Sequence, residues 1–382
     1  MKEKRNIILV IAAISFTQGL QYFVSPILGA VQKHFSNADL SLVQMLITIP
    51  AFVSIFISIL VGTLVSKVSK KKILIFACLL ACITGFLPLL SDSFYLLFAS
   101  RALFGICIGC LAPLNTAVVA EFYEGDERVT AMGIQAACIG IGLLIITTLS
   151  GLLGRIRFQN AYYINIIGFL AMIIIMKWLP DTGKEIVKKG EKAITNRKVV
   201  EICIFGFFSY MFLVTYSTNV AMHISGSLAG NTGISGILTG IYSAAQIVMG
   251  LVLGRLTKIA GKYVLSVSMF CFCAGGLLMV FFPSNILPLI LAGILCGFAQ
   301  GIYVPASYVE ISNAVNPAEV ALASSFFNAA GCVGQTISPY VLNGLSKAIT
   351  GVTTTTEVFI LAVFGMAVMG GVYMIRKRKE KE

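Results

Sequence analysis

The side chains able to do chemistry in this 382-residue sequence are a small set embedded in apolar surroundings. Arg101 places a guanidinium inside an apolar run, with Asn115 about four turns further on. Gln18, Gln21, Tyr22 and Ser25 follow one another at spacings that keep them on one face of a helix. Thr215, Tyr216, Asn219 and His223 form a second such stripe, and Gln300, Tyr303, Ser307 and Glu310 a third. Thinner sets are Gln44, Gln135, Tyr242 with Gln246, and Asn328 with Gln335. Uncharged amides and phenols with a single cation suit recognition of a small organic solute bearing hydroxyls, amides or one anionic group. Catalysis is not expected: the apolar runs contain no Asp, no mid-run His and no paired acids from which a nucleophile, base or metal cluster could converge. The ten Cys are spaced neither as a disulfide framework nor as a metal site, and His34 and His223 are too few for one, so no cofactor is anticipated.

The elements that must position these groups follow from composition. The chain is 58% hydrophobic and 12% charged, which excludes a soluble globular domain, a disordered chain and a disulfide-stapled secreted one. Twelve apolar stretches long enough to span a bilayer lie at about 6–30, 41–66, 73–91, 95–120, 130–153, 160–179, 199–223, 233–255, 263–282, 286–312, 321–345 and 356–375. They are continuously apolar and do not alternate, so helices are expected, not a barrel. The first is too long for a signal-peptide core and is read as a retained helix. Pro26, Pro113, Pro305 and Pro339 mark expected kinks.

The net charge of +12 raises the question of a nucleic-acid partner, and its distribution argues against one. With the N-terminus placed in the cytoplasm, 23 of the 28 Lys and Arg fall in inner segments, four in outer ones, and the last is Arg101. The positive-inside rule then sets both termini in the cytoplasm, with anionic lipid the natural partner of the basic tail. The polar run 180–198 divides the sequence into an N-terminal six-helix bundle, 1–179, and a C-terminal one, 199–382. The halves repeat. At an offset of 192, Gly105, Gly109, Pro113, Glu127, Ala131 and Gly142 fall on Gly297, Gly301, Pro305, Glu319, Ala323 and Gly334, and at 188 the run from Gly62 to Lys70 falls on that from Gly250 to Lys258. Stretches 1, 4, 7 and 10 carry the most polar groups, whereas 3, 6, 9 and 12 are almost wholly apolar.

The basic run after Gly62, its echo after Gly250, Arg101 followed by Gly105 and Gly109, Glu127-Arg128, and Leu179-Pro-Asp-Thr182 together resemble the major facilitator superfamily. The resemblance covers essentially the whole chain. It implies an all-α integral membrane fold of 12 transmembrane helices in two pseudo-symmetric bundles, a monomer in the plasma membrane, and secondary transport by alternating access with no enzymatic step. It further implies a central cavity lined by helices 1, 4, 7 and 10, lipid-facing helices 3, 6, 9 and 12, and a role for Arg101 in proton coupling or substrate binding. Two departures stand out. Ser66 and Ser69 occupy positions where the family usually carries Asp and Gly, and the Gly-Pro-Gly-Gly run of drug/proton antiporters is absent from the fifth helix.

Gln18, Gln21, Tyr22, Arg101, Asn115, Gln135, Tyr216, Asn219, Tyr242, Gln246, Gln300, Tyr303 and Asn328 are therefore the expected cavity residues. Gly62, Lys67, Glu121, Glu127, Arg128, Arg255 and Glu310 are the expected gate and coupling residues, the inner charges pairing across the halves in one state and parting in the other. Each has a plainer reading: Arg101 bonding carbonyls or snorkelling, Glu310 solvated at the interface, and the amides serving as glue between helices. Proton-coupled efflux of amphipathic compounds, uptake of a small polar or anionic metabolite, and a non-transporting sensor on the same scaffold all remain open.

Overall fold

A computed structural model describes residues 2–183, 197–315 and 320–379. Most of the 180–198 segment, and Glu319 of the repeat, lie outside the described residues. The described chain is all-helical with no strand. Its α-helices are α1 (Lys2–Gly19), α2 (Leu28–His34), α3 (Leu40–Leu64), α4 (Lys70–Phe86), α5 (Phe94–Phe122), α6 (Gly125–Leu153) and α7 (Ile166–Trp178). After the undescribed segment come α8 (Arg197–Leu213), α9 (Thr215–His223), α10 (Thr232–Ala260), α11 (Val264–Phe281), α12 (Ile286–Ala314), α13 (Val320–Thr350) and α14 (Thr355–Lys379). Ten stretches among the described residues are long and apolar enough to cross a membrane, and one of them, Thr232–Phe281, takes in both α10 and α11. In hydrocarbon only a helix or a closed barrel satisfies every backbone N–H and C=O, and continuously apolar runs lack the alternation a barrel needs, so a chain of this composition is helical.

The chain forms two compact units, one of residues up to 38 and from 46 to the undescribed segment, the other of 39–45 and the remainder. Inside the first, Gly105 and Gly109 let α5 lie directly on α3. A Cβ at Gly105 would stand 2.7 Å from the Pro50 carbonyl oxygen, and one at Gly109 2.9 Å from that of Ser54. Inside the second, Gly297 and Gly301 bring α12 onto α10 in the same way, against the carbonyls of Tyr242 and Gln246. Pro50 and Tyr242, like Ser54 and Gln246, are 192 positions apart, so the offset read in the sequence reappears as one backbone-to-backbone approach made twice.

Each unit also interrupts one helix and repairs it similarly. Between α1 and α2 the chain passes through two short 3-10 turns, Leu20–Tyr22 and Ser25–Ile27, the second carrying Pro26. The Phe23 carbonyl there loses its partner one turn on, since the Ile27 N–H bonds Val24 instead, and the Ser150 hydroxyl of α6 donates to it at 2.5 Å. Between α8 and α9 the helix breaks at Val214 without a proline, and the Ser338 hydroxyl of α13 donates to the Met211 carbonyl at 2.6 Å. Phe23 with Ser150 and Met211 with Ser338 are related by an offset of 188. Pro113, Pro305 and Pro339, by contrast, lie inside helices that continue through them. Pro113 removes the N–H that would serve the Gly109 carbonyl, and the Ser58 hydroxyl reaches that oxygen at 3.2 Å.

Candidate functional site

Arg101 is fully buried within the first unit, 2% exposed, and its surroundings are built from two places where the helical ladder fails. Pro50 lies inside α3 and has no N–H to give the Leu46 carbonyl one turn earlier. The Arg101 Nε donates to that oxygen at 2.9 Å. A second donor, Nη2, bonds the Gln21 carbonyl in the first 3-10 turn. Phe23 and Phe104 stand 5.1 and 5.0 Å from the guanidinium carbon, close enough for cation–π attraction. Arg101 thus ties α5 to α3 and to the broken end of α1, the carbonyl-bonding arrangement among the readings open in the sequence.

The second unit treats the same spot differently. At an offset of 192, Leu238 stands for Leu46 and Gly293 for Arg101. The Tyr216 hydroxyl, arriving from α9, donates to the Leu238 carbonyl at 3.3 Å. It passes where a side chain at Gly293 would be, since a Cβ there would stand 2.8 Å from it.

The remaining cavity candidates divide between the units. In the first, the Asn115 amide donates to the Ser15 hydroxyl at 2.9 Å while its Oδ1 is buried with no partner among the described residues. Gln18, one turn beyond Ser15 on α1, likewise has a buried Nε2 with no partner among them. Gln21 takes part through its backbone, Tyr22 is half-buried, and Gln135 donates to Thr116 at 3.3 Å on exposed surface. In the second, Tyr216 and Tyr242 stack at 4.7 Å and the Tyr242 hydroxyl donates to Gln300 Oε1 at 2.6 Å. Tyr303 is buried edge-on to Tyr210, and Gln246 is half-buried. Asn219 accepts from Gln44 at 2.7 Å, and Gln44 in turn accepts from Asn343 at 2.8 Å. Asn328 is exposed on α13 and makes none of these bonds.

Two of the charged candidates pair inside the first unit. Glu121 bonds Lys70, not Lys67, at 2.8 Å, and Glu127 bonds Lys4 at 2.5 Å. Lys70 is the better buried of the lysines in its run because it points toward α5, whereas Lys67 is exposed in the turn after α3. Gly62 and Arg255 are exposed, and the side chain of Arg128 lies outside the described residues. Glu310 is not a free interfacial carboxylate: Lys377 at 2.9 Å and the Tyr373 hydroxyl at 3.0 Å hold it from α14. Arg376 on the same helix bonds Glu201 at 2.7 Å. At the end of α7, Asp181 sits beside the Ser69 hydroxyl, the Gly183 N–H and the Lys72 and Lys71 ammoniums, which hold its carboxyl below the ordinary range.

Sequence reasoning missed Lys70, Lys377, Tyr373, Ser150 and Ser338. The serines were findable: each pair member recurs at the offset of 188, and a hydroxyl opposite a helix break is a ready donor. Among the described residues no group of three His, Cys, Asp or Glu side chains is placed to hold a metal.

Comparison with known proteins accords with this architecture. The Major Facilitator Superfamily profile matches residues 8–202 and 202–382. No curated protein matches the chain significantly. A point mutant of the nucleoside transporter NupG superposes with a TM-score of 0.79 at 16% identity, over 97% of this chain and 99% of that one. A POT family transporter in complex with 5-aminolevulinic acid gives 0.81 at 13%, over 98% and 96%. A bacterial homologue of the human lysosomal transporter Spinster, in an inward-facing and occupied conformation, gives 0.76 at 13%, over 99% and 97%. At such identities the likeness is one of fold, while the profile spans both halves of the sequence. The chain belongs to the major facilitator superfamily.

Proposed function

We propose that this protein is a secondary transporter that carries a small, uncharged polar organic solute across the plasma membrane by alternating access. The proposal includes twelve spans in two six-helix bundles, 1–179 and 199–382, joined by the 180–198 linker, with both termini cytoplasmic and the monomer as working unit. One observation carries the substrate class: Gln18 Nε2 and Asn115 Oδ1 are a buried donor and a buried acceptor without protein partners among the described residues, and Asn115 bonds Ser15, one turn before Gln18 on α1. A polar group left unpaired in hydrocarbon costs several kcal/mol, so a solute offering a carbonyl to one and an N–H or O–H to the other gains what the protein leaves open. Arg101 is spent on two carbonyls, which favours a neutral solute over an anionic one.

Counterflow in proteoliposomes tests the reading, with nucleosides, short peptides, sugars and amphipathic amines as trial solutes. For a transported solute, Gln18→Leu and Asn115→Leu should each raise KM by about tenfold, in line with one lost hydrogen bond to a buried group. Binding without counterflow in any arrangement would replace transport with a sensor role. Direction, whether efflux or uptake, is read from accumulation in vesicles of each orientation. Coupling to protons is proposed through Glu310, the one carboxylate that α12 places opposite α14. Equal transport with and without an imposed pH gradient, at clamped potential, removes that part.

A further inference from the structure

A groove of about 480 Å³ lies between α3, α4 and α5 of the first unit. Its deep end is formed by Ile57, Ile106 and Cys110, and its walls by Leu60, Leu64 and Phe76. Leu60 and Phe76 are more than half exposed, as side chains facing lipid are. At roughly 30 Å³ per water-sized group the groove takes on the order of 16 methylenes, which is one acyl chain. From Ile57 to Lys67 it runs on the order of 15 Å, about the depth of one leaflet.

Two lysines close its outer end. In the run that follows α3, Lys70 is committed to Glu121 and Lys71 donates to the Met176 carbonyl. Lys67 and Lys72 are exposed and line the groove; Lys67 makes no hydrogen bond or ion pair among the described residues, and Lys72, whose neighbouring carboxylate is Asp181, makes no hydrogen bond among them. Ser66, next to Lys67, is neutral and turns its hydroxyl back to the Thr63 carbonyl, so no adjacent acid neutralises that ammonium. A second groove, about 520 Å³ along α8 and α13, is lined by Val199, Cys203, Phe207, Phe326 and other uncharged residues alone. Apolar volume is therefore common to both units, and the cationic mouth is particular to this one.

The geometry points to a binding site for an anionic phospholipid, its acyl chain in the α3–α4–α5 groove and its phosphate between Lys67 and Lys72. The site is independent of the solute site proposed above. Lysines near a membrane surface attract anionic lipid by about 1 kcal/mol each, so removing both should weaken binding by about 30-fold.

The test titrates the purified full-length protein with phosphatidylglycerol, with phosphatidylcholine of the same chains and with inorganic phosphate, reading occupancy by native mass spectrometry and stabilisation by thermal shift. Phosphatidylglycerol should stabilise the wild type, with about 30-fold weaker binding to the Lys67→Gln, Lys72→Gln double variant and about fivefold weaker binding to Ser66→Asp, which keeps both lysines but adds a competing carboxylate. Phosphatidylcholine binding should not change among the three. Equal phosphatidylglycerol binding by all three proteins overturns the assignment. So does an equal shift from inorganic phosphate, which would make this a site for a free anion.

Discussion

Replacing Arg101 by Met removes the guanidinium while keeping much of the side-chain volume, and two stranded carbonyls set the cost. The Leu46 carbonyl has no alternative donor because residue 50 is proline, and the Gln21 carbonyl lies in a 3-10 turn. A buried acceptor left unpaired costs about 1–3 kcal/mol, so two cost about 2–6. Hydrogen bonds between membrane helices measure at the modest end of such ranges, which favours about 2–4 kcal/mol. At 2–4 °C per kcal/mol for a folding unit of this size, the melting temperature should fall by roughly 4–16 °C. Arg101→Lys should recover little, since one ammonium cannot reproduce the forked donors that meet two separate carbonyls. The decisive variant is Pro50→Ala, which restores an N–H to the α3 ladder opposite Leu46. In that background Arg101→Met should cost about 1–3 kcal/mol less than in the wild type, a coupling read from a double-mutant cycle of thermal or denaturant unfolding. Strict additivity of the two substitutions, or an unchanged melting temperature in Arg101→Met with transport abolished, would refute the clamp and return Arg101 to the substrate or to coupling.

Gly334→Ala should destabilise by about 1–3 kcal/mol, because a Cβ there overlaps the Phe207 carbonyl, whereas Gly344→Ala on the same helix meets nothing and should be neutral or stabilising by up to about 1 kcal/mol; chemical unfolding of both checks this. Lys70→Met alone should lower stability more than Lys70→Met with Glu121→Gln, since the single change strands a part-buried carboxylate. Asp181 has its carboxyl held below the ordinary value of 3.8, so its folded-state contribution is present above that value and lost as pH falls through the lower, folded one. The difference in melting temperature between wild type and Asp181→Asn should accordingly be constant near neutrality and vanish in acid.

The sequence made the helices legible because a continuous apolar run of twenty residues admits no other spanning structure. Its glycine repeat was equally legible: Gly105 with Gly297 and Gly109 with Gly301 mark positions where a second backbone takes the place of a side chain. What could not be read was partner choice. Lys67, Lys70, Lys71 and Lys72 are alike in sequence, and only their direction around the start of α4 sends one to Glu121, one to a carbonyl and two to the surface. Arg101 was ambiguous for the same reason. Its role depends on Pro50, which is fifty-one positions away and reads in isolation as an ordinary residue of an apolar stretch. The break at Val214 carries no proline or glycine to announce it, and it became intelligible only when Ser338 was found opposite Met211.

The unequal treatment of Leu46 and Leu238 has an electrical consequence. One unit answers its carbonyl with a permanently charged guanidinium, the other with a neutral phenol, so a single fixed positive charge lies within the first unit and has no counterpart at the equivalent position of the second. Carrying one elementary charge across the whole transmembrane potential takes about 2.3 kcal/mol per 100 mV. Any displacement of Arg101 along the membrane normal during the working cycle therefore performs work in proportion to the fraction of the field it crosses. A neutral solute would then still be moved at a rate that responds to voltage.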